Sequence, residues 1–163
     1  METIYRGRIF SVCRTATFDV VRHPGAAAIV PVMDDDRVVL VRQHRHAVDK
    51  TLWEIPAGTL EQGEEPLECA KRELVEETGY EASRYEHLCT ILPVPGYSDE
   101  RIHLFLAVDL CLKEQNLDPD EIIDVVLVPM DEAIRMIMDG SIEDAKTIVG
   151  LFMVNKRRAL QVK

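Results

Sequence analysis

The sequence is short of positive charge: 19 Lys and Arg stand against 29 Asp and Glu, leaving a net charge of −10. Holding a long polyanion draws on clustered cations that release counterions, so nucleic acid is excluded as a natural partner. A small phosphorylated ligand stays compatible, because bound divalent cations reverse the local field of an acidic site. The cysteines Cys13, Cys69, Cys89 and Cys111 form no CxxC pair and have no histidine at zinc-ligand spacing, which leaves them as reduced, packed thiols. No apolar run approaches the ~18 residues of a membrane span. The opening METIYRGRIF carries arginines where a secretory leader would be apolar, so the expectation is a cytoplasmic protein without a membrane partner. There is no repeat, low-complexity segment or long Pro/Gly/Ser linker. The 163 residues, 47% hydrophobic, are therefore read as one domain over 1–163, with a short N-terminal strand region over about 1–20.

What is present is alternation between strand-like and helix-like stretches. Ala26 to Val32 is continuously small or β-branched, Asp34-Asp35-Asp36 punctuates it, and Val38 to Val41 resumes the apolar run, which predicts a β-hairpin in a buried sheet. From Pro66 to Gly79 the pattern turns helical. Pro66 suits the first turn, Leu67, Ala70 and Leu74 recur at i, i+3 and i+7, and Gly79 suits the residue just past the end. Strands are expected at Ile102 to Leu110 and Ile122 to Val128, and helices at Glu132 to Met138 and from Ala145 to about Leu160. A mixed sheet flanked by helices is the natural packing.

The helix over 66–79 carries the chemistry. At about 100° per residue, Glu76 falls roughly 60° to one side of Glu73 and Glu77 roughly 40° to the other, so three carboxylates share an edge beside the apolar stripe. Like charges so placed raise one another's pKa and weaken the helix unless a cation compensates them, and Arg72 does so only in part. Hard oxygen ligands one turn apart suit Mg²⁺ or Mn²⁺, which keep several waters and accept phosphate oxygens. An isolated acidic run is far more often a solvated face. Here it is not isolated. Gly58, five residues, Glu64, seven residues, then Arg72-Glu73-Leu74-x-Glu76-Glu77-x-Gly79 match the Nudix box, departing only at Tyr80 where an aliphatic residue is usual. Seven fixed matches at about 6% per residue type arise by chance on the order of once in a million chains.

The chain thus resembles the Nudix hydrolases. The runs HPGAAAIVPV, VRQHR, WEIPAGTLEQGEEP, PGYSDE and GSIEDAKT, spanning roughly Val20 to Leu151, are similar to the ADP-ribose pyrophosphatase branch, in which a proline falls 15 or 16 residues beyond the box; Pro95 sits 15 after Tyr80. The resemblance implies an α/β/α sandwich with a mixed sheet between helices. It implies hydrolysis of ADP-ribose to AMP and ribose 5-phosphate with Mg²⁺, or Mn²⁺ as substitute. The runner-up within this chemistry is another nucleoside diphosphate sugar or a dinucleotide; a nucleotide-sugar sensor without catalysis is a rival of a different class.

Residue by residue, the resemblance makes Glu73 and Glu77 metal ligands together with the backbone carbonyl of Ala57, and Glu76 a ligand or water-holder with a catalytic part. Gly58, Glu64, Arg72 and Gly79 take structural roles in the motif, Glu64 and Arg72 as an internal pair. The general base is expected in the acidic segment Leu117-Asp118-Pro119-Asp120-Glu121, with Glu121 first and Asp120 and Glu100 as competitors; an ordinary polar turn explains that segment equally well. Arg45, Glu54, Arg42 and Gly96 are the candidate substrate contacts, although surface salt bridges explain Arg45 and Glu54 almost as well. Trp53 and Phe10 could stack on adenine or belong to the core. A homodimer is expected, with an N-terminal part, Gly7 to Val20, shorter than the family's usual hairpin. His44 stands where tyrosine is common, and Val94 where serine or threonine is.

Overall fold

The computed structural model describes residues 1–114 and 122–161. Among the described residues ten strands and three helices follow in chain order: β1 (Glu2–Arg6), β2 (Ser11–Arg14), β3 (Asp19–Arg22), β4 (Ala26–Pro31), β5 (Arg37–Arg45), β6 (Lys50–Glu54), β7 (Ala57–Thr59), α1 (Pro66–Thr78), β8 (Tyr80–Ile91), β9 (Ile102–Leu112), β10 (Ile123–Pro129), α2 (Met130–Met138) and α3 (Ala145–Gln161). They form three sheets, ordered β1-β2-β3, β10-β5-β6 and β7-β4-β9-β8. The last is mixed: β4 runs parallel to β9 and antiparallel to β7.

Strand β4 explains the layering. Its residues are small and β-branched throughout because both faces are covered. Ala27 and Ile29 pack with Phe105 and Ala107 of β9 against Cys69, Ala70 and Leu74 of α1. Ala28 and Val30 turn the other way, with Leu104, toward Ala133 of α2 and Leu151 and Val154 of α3. Helices thus lie on both faces of a mixed sheet, the sandwich that the resemblance implies. Leu74, wholly buried, contributes about 2 kcal/mol to the α1 face.

Helix α1 begins at Pro66, whose missing N–H is no loss in a first turn, and stops where Gly79 takes the left-handed conformation (φ 69°) and donates its N–H to the Val75 carbonyl. The other expected elements exist with shifted ends: α2 begins at Met130, β9 runs on to Leu112, and β10 spans Ile123–Pro129.

The expected hairpin over Ala26 to Val41 is corrected. The turn is there, with the Met33 N–H donating to the Arg37 carbonyl and one bridge between Val32 and Val38. Beyond it the strands part into different sheets. Both edges of β4 are already taken, by β7 and β9, so β5 finds no free edge there and pairs with β6 and β10 instead.

Candidate active site

Packing sets the acidic residues where one face of α1 meets the loop leading from β6 through β7. Glu77 lies on the buried side of the helix, 3% exposed, and its Oε2 accepts the Ala57 N–H at 3.0 Å. Glu73 lies against Gly58: a Cβ added there would stand 1.7 Å from the Glu73 Oε1 and 2.0 Å from its Cδ. A glycine is the only residue that lets the loop pass this carboxylate without moving it.

Arg72 gathers the remaining charge. Its Nε and Nη2 donate to the two oxygens of Glu64 at 3.0 and 3.1 Å, and its Nη1 donates to Glu73 at 2.6 Å and Glu76 at 2.9 Å. The bond to Arg72 holds the Glu64 carboxyl below its ordinary range. The expected Glu64–Arg72 pair is present, and the arginine reaches further than that pair, to two glutamates of its own helix. Beneath the loop, the Cys69 thiol lies 3.6 Å from the Gly58 carbonyl and 3.7 Å from that of Thr59. Burial, with Glu64 and Glu73 nearby, pushes that thiol up to about 12, so it stays protonated.

Above these groups opens a cleft of about 390 Å³ lined by Gln43, Arg45, Ala57, Gly58, Thr59, Glu61, Arg72, Glu73, Glu76 and Glu77, with Ile9 at its margin. A slightly larger groove, about 440 Å³, runs between α1 and β8 on the far side. We take the smaller one as the site because its carboxylates face a cationic side chain, whereas the larger gathers only Lys71 and Glu81 as charged groups.

Arg45 enters the cleft from β5. Its Nε and Nη2 each donate at 2.7 Å to Glu54, which is 2% exposed and is also bonded by Lys146. Burial works to raise the Glu54 carboxyl, but Arg45 and Lys146 outweigh it and hold it at about 2. Glu54 is thus placed behind Arg45 rather than on the cleft wall.

The structure does not bring Arg42 and Gly96 to this cleft. Arg42 points to the opposite face of β5, where its guanidinium lies 5.1 Å from the Trp53 ring, and Trp53 packs against the core. Gly96 lies in an exposed turn pinned against β3 through the Val21 N–H to the Tyr97 carbonyl. Phe10 is exposed at the β1–β2 connection. Glu121 and Asp120 fall outside the described residues, while Glu100 sits 3.8 Å from His23.

Gln43, Glu61, Lys146 and Thr147 were not among the expected site residues. Gln43 had a readable signal, because it stands two residues before Arg45 on one strand and so shares its face. Lys146 and Thr147 had none at short range, since the residues through which they reach the site, Glu54 and Ile55, lie 92 residues away.

The donors available to a metal are all hard oxygens: the carboxylates of Glu73, Glu76 and Glu77 and the carbonyls of Ala57 and Gly58 in β7. That set fits a divalent cation of the magnesium class and no soft metal. Among the described residues no three acidic, histidine or cysteine groups already converge on one ion position, because Arg72 holds Glu73 and Glu76.

A mixed sheet between helices, with a carboxylate-bearing helix facing an arginine across a cleft, is suited to holding a divalent cation beside a phosphorylated ligand. The chain belongs to the NUDIX family: a NUDIX domain model matches residues 22–149. Hydrolases of this family depend on a divalent metal. The chain is similar to the methanol dehydrogenase activator of Bacillus methanolicus, 38% identical over 99% of this chain and 94% of that protein. It is similar also to the ADP-ribose pyrophosphatase of Bacillus subtilis (strain 168), 39% identical over 89% and 80% of the two chains. A crystal structure of an ADP compounds hydrolase superposes with a TM-score of 0.82 at 25% identity, covering 98% of this chain and 92% of that one.

Proposed function

We propose that this protein hydrolyses ADP-ribose to AMP and ribose 5-phosphate, with Mg²⁺ as its metal and Mn²⁺ as a substitute. The observation that carries the reading is the cleft in which Arg45 faces Glu73, Glu76 and Glu77, in a chain similar to an ADP-ribose pyrophosphatase over most of its length. Glu73, Glu77 and the Ala57 carbonyl would hold the metal, with Glu76 as a further ligand or as holder of the attacking water. Bound there, the metal would polarise the diphosphate and lower the pKa of a water.

The chain's own residues supply the rest. Arg45 binds a phosphate oxygen of the diphosphate and fixes the substrate's direction in the cleft. Gly58 leaves room for the Glu73 carboxylate, and Arg72 holds that carboxylate and Glu64 in place. Glu121 receives the proton of the attacking water. A cytoplasmic homodimer belongs to the same reading; its support is the exposed apolar side chains Ile4, Tyr5, Phe10 and Phe18 around the N-terminal sheet, and no helix among the described residues is long and apolar enough to cross a membrane.

Incubation with ADP-ribose and a panel of nucleoside diphosphate sugars and dinucleotides, with and without Mg²⁺, tests the reading. The expected result is metal-dependent release of AMP and ribose 5-phosphate, lowered by at least about 10²-fold in Glu77→Gln with the fold intact. A stronger preference for another compound on the panel would reassign the substrate, and tight binding with no turnover at saturating Mg²⁺ would mark a sensor instead.

A further inference from the structure

Arg45 does not stand alone at the cleft. Its two bonds to Glu54 fix the guanidinium only as well as Glu54 is itself fixed, and Glu54 sits at the end of β6 with its carboxylate buried. The Oε2 of that carboxylate also accepts from the Nζ of Lys146, the second residue of α3. Lys146, 11% exposed at its side chain, is held in turn 3.1 Å from Asp144.

The same turn of α3 is tied down independently. Asp144 accepts the backbone N–H of Thr147 at 3.0 Å and its hydroxyl at 2.6 Å, which anchors the start of the helix. The Thr147 oxygen accepts the Ile55 N–H at 2.9 Å, on the residue next to Glu54. A buried carboxylate gripped from one side by a mobile arginine pivots; gripped from two sides by cations on separate elements, it has one orientation.

We propose that Lys146 is a positioning residue for substrate binding: it holds Glu54 from the α3 side, and through Glu54 it sets the direction of the Arg45 guanidinium in the cleft. Lys146 does not line the cleft, and its bonds to Glu54 and Asp144 give it a route to the substrate through Arg45. The inference rests on the reading that Arg45 binds the diphosphate.

Two measurements test it. The first follows hydrogen exchange of the Arg45 Nε–H by NMR in wild type, Lys146→Met and Lys146→Arg, and needs no substrate. Exchange faster by about tenfold in Lys146→Met, restored by Lys146→Arg, is expected. Unchanged or slower exchange in the Met variant overturns the proposal. The second is a double-mutant cycle on KM for ADP-ribose. Lys146→Met should raise KM by about tenfold with kcat within about threefold of wild type, and should add less than about twofold in an Arg45→Ala background. Equal effects of Lys146→Met in both backgrounds show that it does not act through Arg45 and overturn the proposal. Should Lys146→Met fail to fold, Lys146→Gln carries both comparisons. A wild type that does not turn over ADP-ribose while the exchange result holds would leave Lys146 as the anchor of Arg45 and remove the substrate assignment alone.

Discussion

The contact between Gly58 and Glu73 separates folding from function at a single atom. A methyl group on residue 58 would fall 1.7 Å from a carboxylate oxygen, yet that oxygen ends a side chain able to rotate away. We expect Gly58→Ala to keep a melting temperature within a few degrees of wild type, while kcat/KM falls by about 10²-fold, because a ligand displaced by an ångström costs about that much. A thermal melt beside a steady-state assay reads both; a large drop in melting temperature, or unchanged activity, contradicts the account. The identity of Gly58 and of the glutamates was legible in the sequence, since their spacing is local to one loop and one helix. The reason for the glycine was not, because Glu73 comes fifteen residues later and meets it only in the fold. Arg42 shows the opposite failing. Next to a true cleft residue in sequence, it is turned to the other side of β5 by the two-residue period of a strand.

At the level of elements, α3 approaches the sheet at a glycine. A Cβ on Gly150 would lie 2.8 Å from Val30 Cγ2 and 3.2 Å from Ile55 Cδ1. Glycine in mid-helix costs about 1 kcal/mol against alanine, and forcing a methyl into a filled core costs about 1–3 kcal/mol. Overpacking wins on these magnitudes, so Gly150→Ala is expected to lower stability by about 1 kcal/mol in a denaturant titration; a gain would mean that the helix has room to retreat. Helices were readable because their burial is periodic, and the buried strands because they are apolar without a break. Strand β8 was not, since most of its twelve residues are exposed or half-exposed, with Glu81, Arg84, Glu86 and His87 among them, and among the described residues its one strand partner is β9. The β4–β5 turn was legible, but not the parting of its strands, which is decided by β7 and β9 far along the chain.

For the molecule as a whole, the buried ion pairs tie stability to pH. Glu54 is held at about 2 against an ordinary 4.5. A carboxyl depressed on folding stabilises the protein at pH above 4.5, and that contribution is lost as pH falls toward 2. The loss amounts to about 3 kcal/mol for this group. Below an isoelectric point near 4.9 the chain also turns increasingly positive, and the growing self-repulsion destabilises wild type and variant alike. The informative quantity is therefore the difference between wild type and Glu54→Gln, expected to shrink between pH 4.5 and pH 2 as the wild-type carboxylate protonates. A difference constant over that range would mean that Glu54 is not ionised in the folded protein.

The parallel pairing of β4 with β9 bears on how the protein is made. During synthesis β4 leaves the ribosome about seventy residues before β9, so at about 5–20 residues per second its open edge waits several seconds for its partner. Through that interval the nascent chain exposes Ala-Ala-Ile-Val, a segment suited to pairing with a neighbouring chain on the same messenger. Slow codons before residue 102 would lengthen the exposure, and a holding chaperone at the exit tunnel would shorten its consequences.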